Sequence, residues 1–384
     1  MIGLIYQPLG DVGGVAPSLS PALYPVGGRP AVEHVVDELG PIVEEVVLLA
    51  DDPDVQSAAA RANGSSTVAE SVDEVRERLP ADSDQVVVAS ASTHVDRSDL
   101  RSLARRTDAV LRSDGSSHGH PPHEVYTVSS LCGGARSAGD GIQTTAELVA
   151  DVATRADGPE LTTERLYDVA RPWDLLAATE RALDGLDRSL AGDVHPMADC
   201  RGPVVVESGA RVGAGVVVEG PAFIARGATV GPNAYIRGST YLGDGAHVGN
   251  GVEIKNSVLF PDARVPHLSY VGDSVVGPNA NLGAGTTVAN LRHDGEPVEV
   301  AHDGQRASTG RRKFGAVVGA DARVGIGTCL NAGVRLSAGS TTPPGGTVLR
   351  DVDGDDGNAG LDDRITAPGE PGDEDEHAAA DTTK

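Results

Sequence analysis

From Val206 onward an aliphatic side chain returns at every sixth position: Val206, Val212, Val218, Ile224, Val230, Ile236, Leu242, Val248 and Ile254. An α-helix repeats its face every ~3.6 residues and a strand every second residue, so neither explains this period. A coil with three flat sides does, one hexapeptide per side, each aliphatic residue pointing inward and stacking on its counterpart one coil above. The register slips to Leu259, Val265 and Val271, slips again to Val276, Leu282 and Val288, and resumes at Val318, Val324, Leu330 and Leu336. Gly follows several of these, as at Gly213, Gly231, Gly243, Gly277 and Gly325, which suits corners where the chain needs unusual φ/ψ. A chain with 3% aromatic residues, 49 Gly and 24 Pro favours short strands and turns over a helical bundle.

The first half reads differently. Strands are expected at Ile2–Ile5, Val46–Leu49 and Val86–Val88, and helices at Pro30–Leu39, Val72–Arg78, Thr144–Thr154 and Pro172–Leu183. That alternation predicts βαβ units around a parallel sheet. The expected division is an α/β domain over 1–184, a linker over 185–200, the β-helix over 201–352 and an acidic disordered tail over 353–384. Between Leu291 and Phe314 the six-residue period stops, and Pro297–Ala301 and Gln305–Ser308 flank Asp303-Gly304, a pattern for a protruding β-arm.

Acidic residues outnumber basic ones, 56 to 31, for a net charge of −25. Such a surface disfavours nucleic acid as a partner, because phosphate neutralisation needs clustered cations. Lys occurs only at 255, 313 and 384, so nearly all positive charge is Arg. Heavy acidity with Lys suppressed fits a protein of a salt-rich cytoplasm, where like-charge repulsion is screened. Cys132, Cys200 and Cys329 are odd in number and widely spaced, which fits a reducing compartment. No stretch reaches the ~18 apolar residues of a membrane span, and a cytoplasmic protein with no membrane partner is expected.

Polar residues interspersed among the hexads narrow the reading. The runs Gly245–Lys255, His267–Asp273, Asn281–Thr286, Asn290, Lys313–Gly319 and Arg350–Val352 resemble the acetyltransferase half of GlmU and of archaeal bifunctional sugar-1-phosphate nucleotidyltransferase/acetyltransferases, which are left-handed β-helices. The resemblance implies an acetyl-CoA-dependent N-acetyltransferase acting on glucosamine-1-phosphate or galactosamine-1-phosphate. It implies His267 as general base, an imidazole whose pKa of about 6.5 suits proton removal near neutrality. It implies Arg237, Lys255, Tyr270 and Lys313 around the phosphate, Asn281 and Asn290 on the sugar, and the Ala284 backbone N–H on the acetyl carbonyl. Both lysines outside the tail fall at these positions in a chain that otherwise avoids Lys. The family's trimers imply a homotrimer with shared active sites, the arm 291–314 reaching a neighbour. Where the family has an aromatic after the second Asn, this chain has Leu291, and the Gly before the base is Pro266. The family's CoA-contacting Ser and Ala positions fall near Ile326 and Pro343. His247 is read as structural.

In the first half, Pro21–His34 and Arg171–Leu176 resemble nucleotidyltransferase segments, but the signature chemistry is thin. Between Tyr6 and Pro21 stand Gly10, Asp11, Gly13 and Gly14 with no basic residue; the expected Lys is Ala22, and Ala89–Ser92 lacks the family's metal-binding Asp. Nucleotidyl transfer is expected to be absent, with Mg²⁺ required only if this half is active. Two alternatives stand: a non-catalytic sugar-nucleotide-sensing or scaffolding protein, and a bifunctional enzyme. His118, His120 and His123 crowd one segment without a carboxylate or Cys beside them, and no metal is assigned.

Overall fold

The computed structural model describes residues 1–7, 15–78, 85–113, 124–129, 144–302, 304–354 and 365–366. The Gly10–Gly14 segment, the His118–His123 cluster, Cys132 and most of the tail lie outside the described residues.

Near the N-terminus, β-branched runs flanked by amphipathic helices build a seven-stranded sheet. Its order is Glu160–Thr163, Val110–Ser113, Glu124–Ser129, Gln85–Ser90, Ile2–Tyr6, Glu45–Leu49, Ser66–Ala69. All pairings are parallel except those of Glu124–Ser129, which runs antiparallel to both neighbours. The sheet is therefore mixed rather than fully parallel. Helices Ala31–Leu39, Val72–Arg78, Thr145–Arg155 and Pro172–Asp184 fall where the periodicity places them. Pro53–Ala59 and Arg97–Ala104 are additional. Thr144 and Glu147 close a reciprocal cap on the third of the expected helices, at 3.2 and 3.0 Å.

The second half is a left-handed parallel β-helix. Three sheets of eight, seven and nine strands take every third strand up to the hairpin and resume in the same order after it, so successive coils stack on three sides; the ninth strand of the last sheet, Ile365–Thr366, adds antiparallel to its edge. Every hexad position from Val206 to Leu336 named above is buried, and these side chains form one continuous core. The segment 185–200 is not a linker: Ser189–Leu190, Asp193–Val194 and Asp199–Arg201 pair with Val204–Val206, Arg211–Val212 and Val217–Glu219 as a first coil. Its hexad signal is faint because this terminal coil is covered on one side only, so it carries Val194, Ala198 and Cys200 half-buried against the core.

The two halves share a second core. Helix Pro172–Asp184 contributes Trp173, Leu175, Leu176 and Ala178 to a cluster with Tyr241, Val258, Phe260 and Val317 from one β-helix side. Tyr24 and Phe260, both fully buried, meet edge to face at 5.1 Å. Gly28 sits at φ +97°, and a Cβ there would lie 2.7 Å from the Phe223 ring, so the loop approaches this closely only as Gly.

The excursion 291–314 is the expected hairpin, Glu299–His302 paired with Gln305–Ser308. One of its faces packs on this chain. Val298, Val300 and Ala307 share an apolar face that is buried in the same cluster as Trp173 of this chain, and His302 meets the Trp173 ring at 5.4 Å. Alternation along the strands made one face apolar, and helix Pro172–Asp184 covers it.

Candidate active site

The polar residues of the hexads divide between two adjoining sides of the prism. On one side, strands Tyr235–Arg237, Glu253–Lys255 and Tyr270–Gly272 stack in register, so that Arg237 lies beside Lys255, and Glu253 beside Tyr270. Their central residues Ile236, Ile254 and Val271 point into the core, which turns Arg237, Lys255 and Tyr270 outward.

At the end of these strands Asp273 turns the corner at φ +51° and is almost wholly buried. Its carboxylate accepts four hydrogen bonds: from Lys255 Nζ at 2.8 and 2.6 Å, from Asn256 Nδ2 at 2.9 Å and from Asn290 Nδ2 at 2.5 Å. Asn290 also donates to the Tyr270 hydroxyl at 3.1 Å. Burial, with the nearby Asp273 and Glu253 carboxylates, raises the Tyr270 pKa, so the phenol stays protonated. Gly272 leaves the space: a Cβ would lie 2.4 Å from the Tyr270 hydroxyl and 2.8 Å from Asn290 Nδ2.

Arg237 is held by Glu253, 2.8 Å from both Nε and Nη2, and its guanidinium lies 5.7 Å from the Tyr235 ring centre. The Glu253 hydrogen bond raises the Arg237 pKa against partial burial, so the guanidinium remains charged. Lys313 is brought to the same place by closure of the excursion: it bridges Leu291, and Phe314 N donates to Asn290 O at 3.0 Å. It is exposed and, among the described residues, has no ion-pair partner. Arg237 and Lys255 are thus each matched by a carboxylate, while Lys313, next along the chain to the residue that bonds Asn290, is an exposed cation without one among the described residues.

His267 ends strand Arg264–His267 on the adjoining side, three residues before Tyr270, with Leu268 at φ +47° between the two sides. The imidazole is exposed and makes no side-chain hydrogen bond among the described residues. Such a left-handed conformation at a residue other than Gly is strained, and Leu268 is 70% exposed. One coil further on, Gly285 N donates to His267 O at 3.0 Å and Gly327 N to Ala284 O at 2.7 Å, while the Ala284 N–H has no partner among the described residues. Asn281 pairs in register with Arg264 and Arg323, on the His267 side. Within one chain it is not part of the cluster around Asp273. His247 bonds Thr229 at 2.7 Å, and partial burial lowers its pKa, as befits a structural role.

Beside Leu291 opens a cleft of about 850 Å³ lined by Arg292, Arg306 and Arg350 together with Asp294, Glu299, Asp351 and Asp353; Arg292 is paired with Asp294 and Arg306 with Asp351. Ile326, 61% exposed, flanks the Ala284 coil.

Sequence reasoning missed Asp273, Asn256 and Glu253. Asp273 stands within a run already singled out, and its signal is a short polar residue after Gly at a corner, where Asp and Asn tolerate positive φ.

In the first half, the Ala89–Ser92 segment is engaged internally. Ser92 Oγ donates to Asp168 Oδ1 at 2.9 Å and lies 3.0 Å from Ser90 Oγ, and Ala170 N donates to the same carboxylate oxygen at 3.2 Å. Among the described residues no group of three potential metal ligands occurs. Asp174 adds a second carboxylate beside that of Asp168, accepting from Asp168 N at 3.4 Å, and the Gly10–Gly14 loop that would complete this face lies outside the described residues.

Fold and site together define a hexapeptide-repeat β-helix protein joined to a nucleotidyltransferase-like α/β domain. Residues 218–340 match the family model described as the GMPPB C-terminal domain. The chain is 41% identical over 185 residues to a bifunctional sugar-1-phosphate nucleotidylyltransferase/acetyltransferase of Sulfurisphaera tokodaii, covering 48% of this chain and 46% of that protein. It is 39% identical over 185 residues to the bifunctional protein GlmU of Methanococcus vannielii and to that of Methanocaldococcus jannaschii, covering 48% of this chain and 44% and 45% of theirs. The match spans about half of this chain and about half the length of each of these relatives, and over that part the chain is similar to them.

Proposed function

We propose that this chain is an acetyl-CoA-dependent N-acetyltransferase for an amino sugar 1-phosphate, glucosamine-1-phosphate or galactosamine-1-phosphate. One observation carries the reading: among the described residues, an exposed imidazole without a hydrogen-bond partner at His267 stands one coil from a backbone N–H without one at Ala284, at the corner leading to Tyr270. Acetyl transfer to an amine needs a base and an oxyanion donor close together, and an anionic acceptor needs cations nearby.

In this mechanism Lys313 and the third ammonium proton of Lys255 bind the phosphate, with Arg237 and the Tyr270 hydroxyl completing the cradle. Asn290 and Asn281 meet the sugar, Asn281 from the adjoining side. His267 takes the proton from the amine as its nitrogen attacks the thioester carbonyl; the Ala284 N–H receives the developing oxyanion; the C–S bond breaks and the departing thiolate takes up a proton. The cleft beside Leu291, where Arg350 is exposed and without an ion-pair partner among the described residues, holds the donor's phosphates. The exposed Leu268 and Ile326 lie at the subunit boundary of a homotrimer.

The α/β domain, on this reading, transfers no nucleotidyl group, as the Ser92–Asp168 contact supports. The acidic composition supports a salt-rich cytoplasm as the setting for this activity; no helix among the described residues is long and apolar enough to cross a membrane.

The test is thiol release from acetyl-CoA with each amino sugar phosphate at high salt. Wild type is expected to turn over and His267→Ala to lose at least 100-fold in kcat, in line with general-base contributions of ~10²–10⁴. Equal rates would remove the base assignment. Pyrophosphate release with UTP or dTTP, N-acetylglucosamine-1-phosphate and Mg²⁺ is expected to be absent.

A further inference from the structure

Glu180 belongs to the α/β half, on helix Pro172–Asp184, yet its carboxylate reaches the β-helix site by two routes. Asn256 Nδ2 donates one proton to Glu180 Oε1 at 2.8 Å and the other to Asp273 Oδ1 at 2.9 Å. A primary amide has two N–H donors, so this side chain is fully committed between the two carboxylates, which fixes its orientation. Asp273 in turn holds Lys255 and Asn290. The second route runs through Arg311, which forks onto Glu180 with Nη1 at 3.2 Å from Oε2 and Nη2 bonded to Oε1. Arg311 stands two residues before Lys313 at the base of the hairpin.

One carboxylate from the first half therefore reaches Lys255 through Asn256 and Asp273, and the backbone that leads into Lys313 through Arg311. Asn256 holds φ +46°, a left-handed corner that Asn tolerates, and its amide bonds to the two carboxylates fix the side chain there. Without Glu180 the amide loses one of its two acceptors, Arg311 loses its carboxylate, and Asp273 and Lys313 lose their outer supports. Lys255 is only 17% exposed and Asp273 3%, so loosening them changes a desolvated pair rather than a solvated one.

We propose that Glu180 is a positioning residue for the acceptor site, and that the α/β half serves acetyl transfer by bracing the phosphate cradle through Asn256 and Arg311. The proposal rests on the acetyl-transfer reading above. It predicts an effect on acceptor binding and little on chemistry, because Glu180 touches neither His267 nor Ala284.

The experiment uses the full chain at high salt, with Glu180→Ala and Glu180→Gln. Glu180→Ala is expected to raise KM for the amino sugar phosphate five- to tenfold, with kcat and the KM for acetyl-CoA within twofold of wild type. Glu180→Gln, whose carbonyl still accepts from Asn256, recovers most of the acceptor KM. Glu180 is half-exposed, and thermal unfolding within a few degrees of wild type confirms folding. A second readout needs no turnover: with Lys only at 255, 313 and 384, ¹³C-methylated lysines give few NMR signals, and the Lys255 signal, assigned with Lys255→Arg, moves in Glu180→Ala. An unmoved Lys255 signal, or an unchanged acceptor KM in an active protein, overturns the proposal. An inactive wild type whose Lys255 signal still moves overturns the acetyl-transfer reading and leaves the bracing intact.

Discussion

Lys255, partly buried, and Asp273, almost wholly buried, form an ion pair across adjacent coils, the ammonium 2.6 and 2.8 Å from the two carboxylate oxygens. Breaking a buried pair from one side strands a charge, whereas replacing both partners by apolar groups does not. Asp273→Ala is expected to cost about 3 kcal/mol in urea denaturation. The double variant Lys255→Met with Asp273→Leu is expected to recover most of that stability and none of the acceptor binding. If the double variant is no more stable than the single one, the cost lies in the corner at φ +51° and not in the stranded ammonium.

Gly272 shapes the same site by omission. Its missing Cβ would fall 2.4 Å from the Tyr270 hydroxyl, so Gly272→Ala must push the phenol and Asn290 aside. The expected result is a several-fold rise in acceptor KM and about 1–2 kcal/mol of lost stability, the usual cost of overpacking. Adding Tyr270→Phe removes the nearest clash but leaves the ring Cζ and Asn290 Nδ2, each 2.8 Å from that Cβ, so it returns part of the lost stability. No recovery in that double variant would show that the ring and the amide, rather than the hydroxyl, resist the methyl group.

The coil was legible in the sequence because one physical demand, an inward aliphatic residue per side, repeats at every rung from Val206 to Leu336. Helix Pro172–Asp184 was legible too, through its initial Pro and its amphipathic spacing. What eluded the sequence were pairings whose partners lie far apart along the chain. Nothing local to Glu180 announces Arg311, 131 residues away, and nothing in the alternation of Val298 and Val300 says whether a neighbouring subunit or this chain's Trp173 covers them. The first coil was missed for the opposite reason: an end rung is covered on one side, so its aliphatic demand is halved. The polar cluster was found by likeness to a family, and its carboxylate centre, Asp273, only by folding the corner.

The Tyr24–Phe260 contact joins the two halves within one core. Truncating a fully buried Phe costs ~3–5 kcal/mol, and Phe260 is 0% exposed. Phe260→Ala is expected to lose that much, and to split calorimetric unfolding into two transitions where wild type shows one. A single transition, shifted down but still cooperative, would mean that Trp173 and its hairpin contacts alone couple the halves.

Two buried groups of the α/β half oppose each other in their pH dependence. His94 packs against His34 at 5.2 Å and stacks on Tyr167 at 6.1 Å, with its Nδ1 unbonded. Burial, aided by His34 and Arg181 against Asp96, pushes its pKa down to about 3. The folded chain therefore keeps this ring neutral while the unfolded chain protonates it below ~6.5, so stability falls as pH drops, by about 2 kcal/mol between pH 7 and 5. Asp174 does the reverse. Burial pushes its pKa up to about 7, with Asp168 adding and Arg171 and Arg311 opposing. The folded chain holds that proton where the unfolded chain has released it, so its contribution is full below the unfolded pKa and is lost as pH climbs toward 7. The two slopes offset each other in wild type. His94→Phe is thus expected to gain stability from pH 7 to 5, and Asp174→Asn to lose it, in urea denaturation at constant salt. Should both variants keep the wild-type slope, burial of these two groups does not govern the acid response of the domain.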